Sequence, residues 1–450
     1  MSVDKLIDST QLDADLTSVA NAIRTKTGKN GQLSFPSGFV SEINDITPVV
    51  DTTPIDDVTF VDYDGTVLHT YSADEFLVLS AMPSNPSHAG LVAQGWNWTL
   101  AGAKEYVAES GCLCIGQNYT TDNGDTRIYV NIQKYLLDCP IKIGMYTSVK
   151  GGVRIDWGDG TIQNTTANAN VYGAYYHTYE TAGKYIISLR CTDGNYNLGY
   201  SGANTGIFVE SGQNKTGSSA SQVYKVEIGN NCDRLNRQSF TNCYGLKNIS
   251  IPNTVIYFGT STSGEVFRNC HSLACMVFPK NSTIYGTKNF DEGYSIKYIS
   301  FGENMIMPSS SYIENNTLKL LRMYTSPSLS AVGQNFLSYA NSLEKLAVPG
   351  TYTTLANTFC RDCYKIRKFV LPTTVTTIPD YSLTNDRLKE FHVRPTTPPT
   401  IANTRGMPDM ATFGGIIYVP YSADHSILEA YQTATNWSTY AQYMQEEPQS

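Results

Sequence analysis

Charge is scarce in this 450-residue chain: Asp, Glu, Lys and Arg make up 16% of it, and the formal net charge is −8. No run of Lys or Arg exceeds two residues. The basic footprint of a nucleic-acid binder is missing, so no nucleic-acid partner is expected. Long apolar runs are missing too. No stretch approaches the ~18 uninterrupted apolar residues of a spanning helix, so no membrane insertion is expected. The opening residues, MSVDKLIDSTQLDADL, have no apolar core and carry acids where a secretion signal carries base. The closing QYMQEEPQS shows no sorting or anchoring pattern. The chain is expected to be made in a cytoplasm and not exported by the usual route.

Catalytic signatures are equally absent. No P-loop, HExxH, GxSxG or paired Ser/Cys–His pattern occurs. The six histidines, His69, His88, His177, His271, His392 and His425, lie far from one another's metal-ligand spacing. Cys360-Arg-Asp-Cys363 has the CxxC form, but no second pair or histidine completes a zinc site. The ten cysteines are therefore read as buried free thiols. Asp156 and Asp159 form a carboxylate pair on paper, but in an Asp-Gly turn such groups bond their own backbone. A glycan hydrolase needs two acids facing each other across a groove, and nothing in the sequence marks them. The expectation is a protein without enzymatic activity, cofactor or metal.

What is present is tyrosine. There are 31 Tyr against 16 Phe and 4 Trp. Tyr favours strands, and it also supplies stiff, amphipathic contact area on binding surfaces. The length points to about three domains. In residues 1–47, Leu12, Leu16, Val19 and Ile23 recur at helical spacing, and Phe35 and Phe39 belong to a second amphipathic stretch. A segment this small cannot bury its apolar face alone; these six residues are expected to serve assembly. An acidic, proline-bearing linker follows. In residues 58–138, Asp64-Gly65 marks a hairpin, and Ser72 with Glu75 forms a capping box. A second helix falls near 100–109, and Trp96 and Trp98 alternate on a strand, one of them for the core. That segment reads as a small α+β module. Residues 139–205 carry short alternating strands between Gly, Asn and Asp turns, the pattern of a β-sandwich.

From about 222 the chain repeats. Phe240, Phe267, Phe290, Ile313, Phe336 and Phe359 are 27, 23, 23, 23 and 23 residues apart. Each is followed by a triplet such as Leu246/Ile249/Ile251 or Leu273/Met276/Phe278, and a final triplet, Leu388/Phe391/Val393, has Ser382 in place of the bulky leader. About seven coils result, each burying against its neighbours what it cannot bury alone. Cys243, Cys270 and Cys363 fall in one interior slot. Residues 399–450 cover the last coil. The fold class is thus multidomain and β-rich, with a short helical leader, a small α+β module, an Ig-like sandwich, a repeat solenoid over 222–398 and a C-terminal cap. Tyr257, Tyr285, Tyr298 and Tyr324, on strand positions and adjoining loops, are the candidate ligand-binding residues.

Several segments resemble known families. Asp156-Trp-Gly-Asp-Gly-Thr161 with His177-Thr-Tyr179 and Gly183-Lys-Tyr-Ile resembles a PKD-type immunoglobulin-like domain. Phe240-Thr-Asn-Cys243-Tyr-Gly-Leu246-Lys-Asn-Ile249-Ser-Ile251-Pro252 is similar to the BspA-like (Treponema-type) leucine-rich repeat. Leu16-Thr-Ser-Val-Ala-Asn-Ala-Ile-Arg24 with Leu33-Ser-Phe-Pro-Ser-Gly-Phe39 resembles a leader on tail and accessory proteins of phages infecting Gram-positive bacteria, and the block Asp62–Thr66, Gln94–Thr99, Ile115–Gln117 is similar to a module found downstream of it. The resemblance implies a virion protein of tail-fibre or baseplate type that assembles with other virion proteins through the leader. It also implies repeats that bind a host cell-surface glycan or protein, and a homo-oligomer, by analogy a trimer. A capsid-attached head fibre and a bacterial surface adhesin remain the alternatives.

Overall fold

The computed structural model describes residues 16–17, 19–21, 57–199, 207–208, 219–260, 264–286, 288–306, 322–324, 343, 346–348, 350, 352–355, 357–360, 363–384 and 387–448. The chain divides into two compact units, Met1–Ile55 and Asp56–Ser450. In the first, Leu16 and Val19 are helical, Leu16 half-buried and Val19 48% exposed, while Ala20 is buried. The inward face thus runs from 16 to 20, one helical turn, and Val19 turns outward. Leu12, Ile23, Phe35 and Phe39 lie outside the described residues.

The second unit opens with β1 (Val58–Val61) and β2 (Val67–Tyr71). They form a hairpin whose Gly65 has φ +87°, a conformation glycine adopts without cost. Helix α1 (Ala73–Leu77) starts at the capping box, with Ser72 and Glu75 bonded reciprocally. β3 (Leu91–Trp96) and α2 (Leu100–Ser110) follow, the helix ended by Gly111 in the left-handed conformation. β4 (Leu113–Thr121) completes a sheet in the order β2-β1-β4-β3, with β1 and β4 parallel. β4 is buried along all nine residues: its sheet neighbours and helices cover one face and, as shown below, the repeats cover the other.

β5 (Thr126–Ile132), β6 (Ile141–Thr147), β7 (Gly151–Asp156), β8 (Ile162–Ala167), β9 (Val171–His177), β10 (Gly183–Cys191) and β11 (Tyr196–Leu198) build two sheets. The pairings β7–β8, β7–β10, β10–β5 and β6–β9 are all antiparallel. The sequence pattern assigns Thr126–Ile132 to the preceding module, but its pairing with β10 places it in this domain.

The sheets do not stop there. β12 (Val223–Glu227) pairs antiparallel with β5, and β13 (Cys232–Leu235) pairs parallel with β11. From these two strands the solenoid grows by parallel addition. On one sheet come β14 (Asn248–Ser250), and on the other β15 (Tyr257–Phe258). β16 (Cys275–Val277), β17 (Thr283–Ile284), β18 (Tyr298–Ser300), β19 (Arg322–Tyr324), β20 (Leu346–Ala347), β21 (Lys368–Leu371), β22 (Thr377–Ile378), β23 (Glu390–Val393) and β24 (Thr400–Ile401) continue the coils. Phe240, Phe267 and Phe290 stack with centroids 5.7 Å apart at both steps, though the first step spans 27 residues and the second 23. Between Phe258 and Phe267 lie more residues than between Ile284 and Phe290, so the loop absorbs the difference. Ile313 and Phe336 lie outside the described residues.

Sandwich, solenoid and cap share one continuous apolar core from Ile128 to Met444. β25 (Ile416–Val419) and β26 (Met444–Glu446) extend the β21-β23 sheet, and helix α3 (Ser426–Thr433) lies over it. Trp437 is fully buried, stacks on Phe391 and donates its indole N–H to the Pro399 carbonyl at 2.7 Å. At the last coil Ser382, with no ring to offer, instead donates its hydroxyl to the Pro379 carbonyl.

Candidate functional site

Which surfaces of the repeats are open depends on where the α+β module sits. β4 and the Gln94–Thr99 segment lie directly on the β14-β16-β18 strands. The Asn97 side chain, fully buried, accepts from the Gly116 N–H at 2.8 Å and donates to the Phe278 carbonyl and the Ser300 hydroxyl, both at 2.9 Å. Its own carbonyl accepts from Glu303 N–H. Trp98 donates its indole N–H to Phe301, and the Glu303 carboxylate receives both the N–H and the hydroxyl of Thr99. Asn118 reaches the Ile251 carbonyl. At Gly116 there is no space for a side chain: a Cβ would lie 2.6 Å from Val277 Cγ2 and closer still to Cγ1. Cys275 and Val277 of the repeats belong to the module's own apolar cluster, together with Cys112 and Cys114.

Both tryptophans are therefore buried, for different reasons. Trp96 packs on Phe60 inside the module, and Trp98 seals the junction with the repeats. Sequence reasoning missed this junction because its polar partners, Asn97, Asn118 and Ser300, carry no hydrophobic pattern. Gly116, inside an otherwise continuous strand, is the signal that another surface approaches the backbone there.

The four candidate tyrosines are split by this arrangement. Tyr298 lies half-buried on β18, packed against the module's cluster. Tyr324 is on β19, which pairs with β18. Tyr257 and Tyr285 are on the other side of the coil, half-buried, and stack with centroids 6.3 Å apart. The Arg234 guanidinium lies 4.2 Å from the Tyr257 ring centre, a cation–π contact. Arg234, Tyr257 and Tyr285 form a row across three coils; Tyr298 and Tyr324 are not part of it.

A cleft of about 630 Å³ opens between the module's helices and the C-terminal coils, lined among others by Asp74, Lys368, His392, Arg394 and Glu447. His392 bonds Glu447 through Nδ1 at 2.6 Å and Glu390 through Nε2 at 3.2 Å, and its ring stacks on Tyr418.

In the sandwich, Asp156 accepts from the Gly158 N–H and Asp159 from the Thr161 N–H, so both carboxylates bond their own turn. His177 bonds Asp159 at 2.6 Å and stacks on Trp157, whose carbonyl receives the Tyr179 hydroxyl. Burial raises the Asp159 carboxyl, but the Thr161 backbone and His177 outweigh it and hold it below the usual range. None of the ten cysteines is in a disulfide, and Cys139 is the exposed one. Burial pushes the Cys191 thiol up to about 12 and Cys243, Cys270 and Cys275 well above the ordinary thiol value, which makes them packing residues rather than nucleophiles. Among the described residues no group of three or more His, Cys, Asp or Glu is placed to hold a metal, and no helix is long and apolar enough to cross a membrane.

No curated protein matches this chain. Similar solved structures include a leucine-rich repeat protein from Bacteroides ovatus ATCC 8483, 19% identical over 48% of this chain and 50% of that one, with a TM-score of 0.29. Others are a leucine rich cell surface protein from Faecalibacterium prausnitzii A2-165 (15% identical, 48% and 64% covered, TM-score 0.25) and the pneumococcal vaccine antigen PcpA (14%, 51% and 80%, 0.25). The chain spans about half the length of the first of these. Six copies of the BspA type leucine rich repeat region match over residues 216–339 and 315–398. The solenoid of this chain is built from BspA-type leucine-rich repeats.

Proposed function

We propose that this is a non-enzymatic binding protein that presents its repeats to a partner on a cell surface. The observation that supports this reading is the row Arg234–Tyr257–Tyr285: a guanidinium paired across parallel strands with a half-buried ring, and a second half-buried ring, just after the next strand, stacked on the first. Stacked repeats suit extended recognition, and aromatic residues with arginine are the common anchors of binding surfaces. The module fastened over the β14-β16-β18 strands directs recognition to this other side.

The finer reading is a phage virion protein of tail-fibre or baseplate type, docked through residues 1–47. It rests on the resemblance of the leader and the following block to such proteins. A bacterial surface adhesin with the same repeats fits the solenoid equally well.

The test is binding of the fluorescently labelled full-length protein to a panel of Gram-positive cells, beside the variant R234A/Y257A/Y285A. Binding by the parent and at least tenfold loss in the variant supports the row; undiminished binding by the variant rejects it. Mass spectrometry of purified phage particles and of cell-envelope fractions separates virion from adhesin.

A further inference from the structure

A second aromatic row runs along a different edge of the same coils. Tyr244, His271 and Tyr294 each stand four residues after the repeat phenylalanines Phe240, Phe267 and Phe290. Their ring centroids are 4.8 and 4.9 Å apart. Tyr244 is 40% and Tyr294 41% exposed. The edge is rigid. Asn242, Asn269 and Glu292, two residues before the rings, all hold the left-handed conformation, with φ of +65°, +60° and +59°. Backbone bonds tie one coil's turn to the next, Asn242 N–H to Arg268 and Asn269 N–H to Asp291. The rings thus repeat at the strand-to-strand spacing of a sheet.

Beside the rings runs a polar row. Asn269 donates to the Asn242 side-chain carbonyl at 2.7 Å, and its own Oδ1 is buried with no hydrogen-bond partner. Arg268 is paired with Glu265 at 3.4 Å and Asp291 at 3.5 Å, and His271 approaches Glu292 at 3.7 Å. One guanidinium and one imidazole thus face three carboxylates, so this edge has hydrogen-bonding capacity and no excess of cations.

We infer that the Tyr244–His271–Tyr294 edge binds a neutral, extended glycan chain lying along the solenoid axis. A pyranose has an apolar C–H face that packs on an aromatic ring and a rim of hydroxyls that bonds amides and carboxylates. An extended chain of such rings advances per residue by about the spacing of these coils. Tilted, partly exposed rings flanked by Asn242, Asn269, Glu292 and Arg268 supply both halves of that contact. A nucleic acid or acidic glycan needs an excess of cations that this edge does not have. The inference deepens the proposed function by naming a ligand class, and it rests on that reading.

The experiment uses the full-length chain and a panel of defined neutral oligosaccharides and polysaccharides (β-glucan, mannan, chitin oligomers), read by affinity electrophoresis and calorimetry, with cell binding measured in parallel. The expected result is binding to at least one neutral glycan, with affinity falling roughly tenfold for each ring removed in Tyr244→Ala and Tyr294→Ala. Both positions are exposed, and unchanged melting temperatures will show that the fold is kept. Binding should also be insensitive to salt. Tyr421→Ala, an exposed ring outside both aromatic rows, should leave glycan affinity unchanged. Glycan binding that persists in both ring variants overturns the assignment to this edge. Cell binding without glycan binding overturns the ligand class and leaves the parent reading standing. Absence of both overturns the parent reading as well.

Discussion

Replacing Asn97 with Ala should loosen the whole module from the repeats. In the native protein the Asn97 side chain satisfies two buried backbone groups, the N–H of Gly116 at 2.8 Å and the carbonyl of Phe278 at 2.9 Å. The Ser300 hydroxyl loses a bond as well, but it still donates to the Cys114 carbonyl at 2.8 Å and is not orphaned. Leaving a buried polar group unpaired costs about 1–3 kcal/mol, so two such groups give about 2–6 kcal/mol. Asn97→Asp keeps the shape and the acceptor but removes the donor to Phe278 and buries a charge, so it should cost at least as much. The assay is urea unfolding of the full-length chain followed by tryptophan fluorescence, since Trp96 and Trp98 flank the substituted position. The first transition should move to lower urea in both variants. Ser300→Ala added to Asn97→Ala should cost less than it does alone, because the two share a bond. A change within about 0.5 kcal/mol for Asn97→Ala, the range of an ordinary surface substitution, would refute the account of the junction.

Gly116→Ala should destabilise by about 1–3 kcal/mol through overpacking against Val277, and Val277→Ala should recover part of that loss in the same unfolding assay; purely additive effects would count against the contact. Trp437→Ala should cost about 3–5 kcal/mol and speed hydrogen exchange in 388–393, which it covers; unaltered exchange there would contradict its role as the cap. Native protein treated with a thiol reagent should take one adduct, at Cys139, and ten after denaturation, counted by mass spectrometry. Because Asp159 sits below its usual range when folded, its stabilising effect is complete above about pH 4 and is lost as pH falls through the folded value. The melting temperature should thus drop less steeply in acid for Asp159→Asn, and an identical acid profile would show that the turn does not depend on that carboxylate.

Features written in local pattern were legible from the residues alone. The Ser72 and Glu75 capping box, the Asp64-Gly65 hairpin, the helix near 100–109 and the phase of Phe240, Phe267 and Phe290 all appear where local pattern places them. What escaped was contact between distant segments. Gln117, Asn118, Thr120 and Thr121 are polar, yet all are buried, because β4 lies between its own sheet and the repeats. Thr126–Ile132 follows the module in sequence, while hydrogen bonding assigns it to the next domain. Strand position alone does not tell which of the candidate tyrosines are open, because the module covers one side of the coils. The Tyr244–His271–Tyr294 row could have been found, since its four-residue offset from the repeat phenylalanines is plain in the sequence.

The joining of sandwich and solenoid through β12 and β13 bears on how copies of this chain can meet. A bare stack of coils ends in an unpaired strand, an invitation to polymerise end to end. Here the first coil is already paired to β5 and β11, and the last sheet ends in β26, three residues long, carrying Glu446 and followed by Glu447 and Pro448. The start of the solenoid is thus covered by pairing, and its last large sheet offers only a short, acidic margin. Among the described residues, the strands of five or more residues left at a sheet margin are β2 and β3 of the α+β module and β8 and β9 of the sandwich, so edge pairing between copies is open there rather than along the short strands of the repeats.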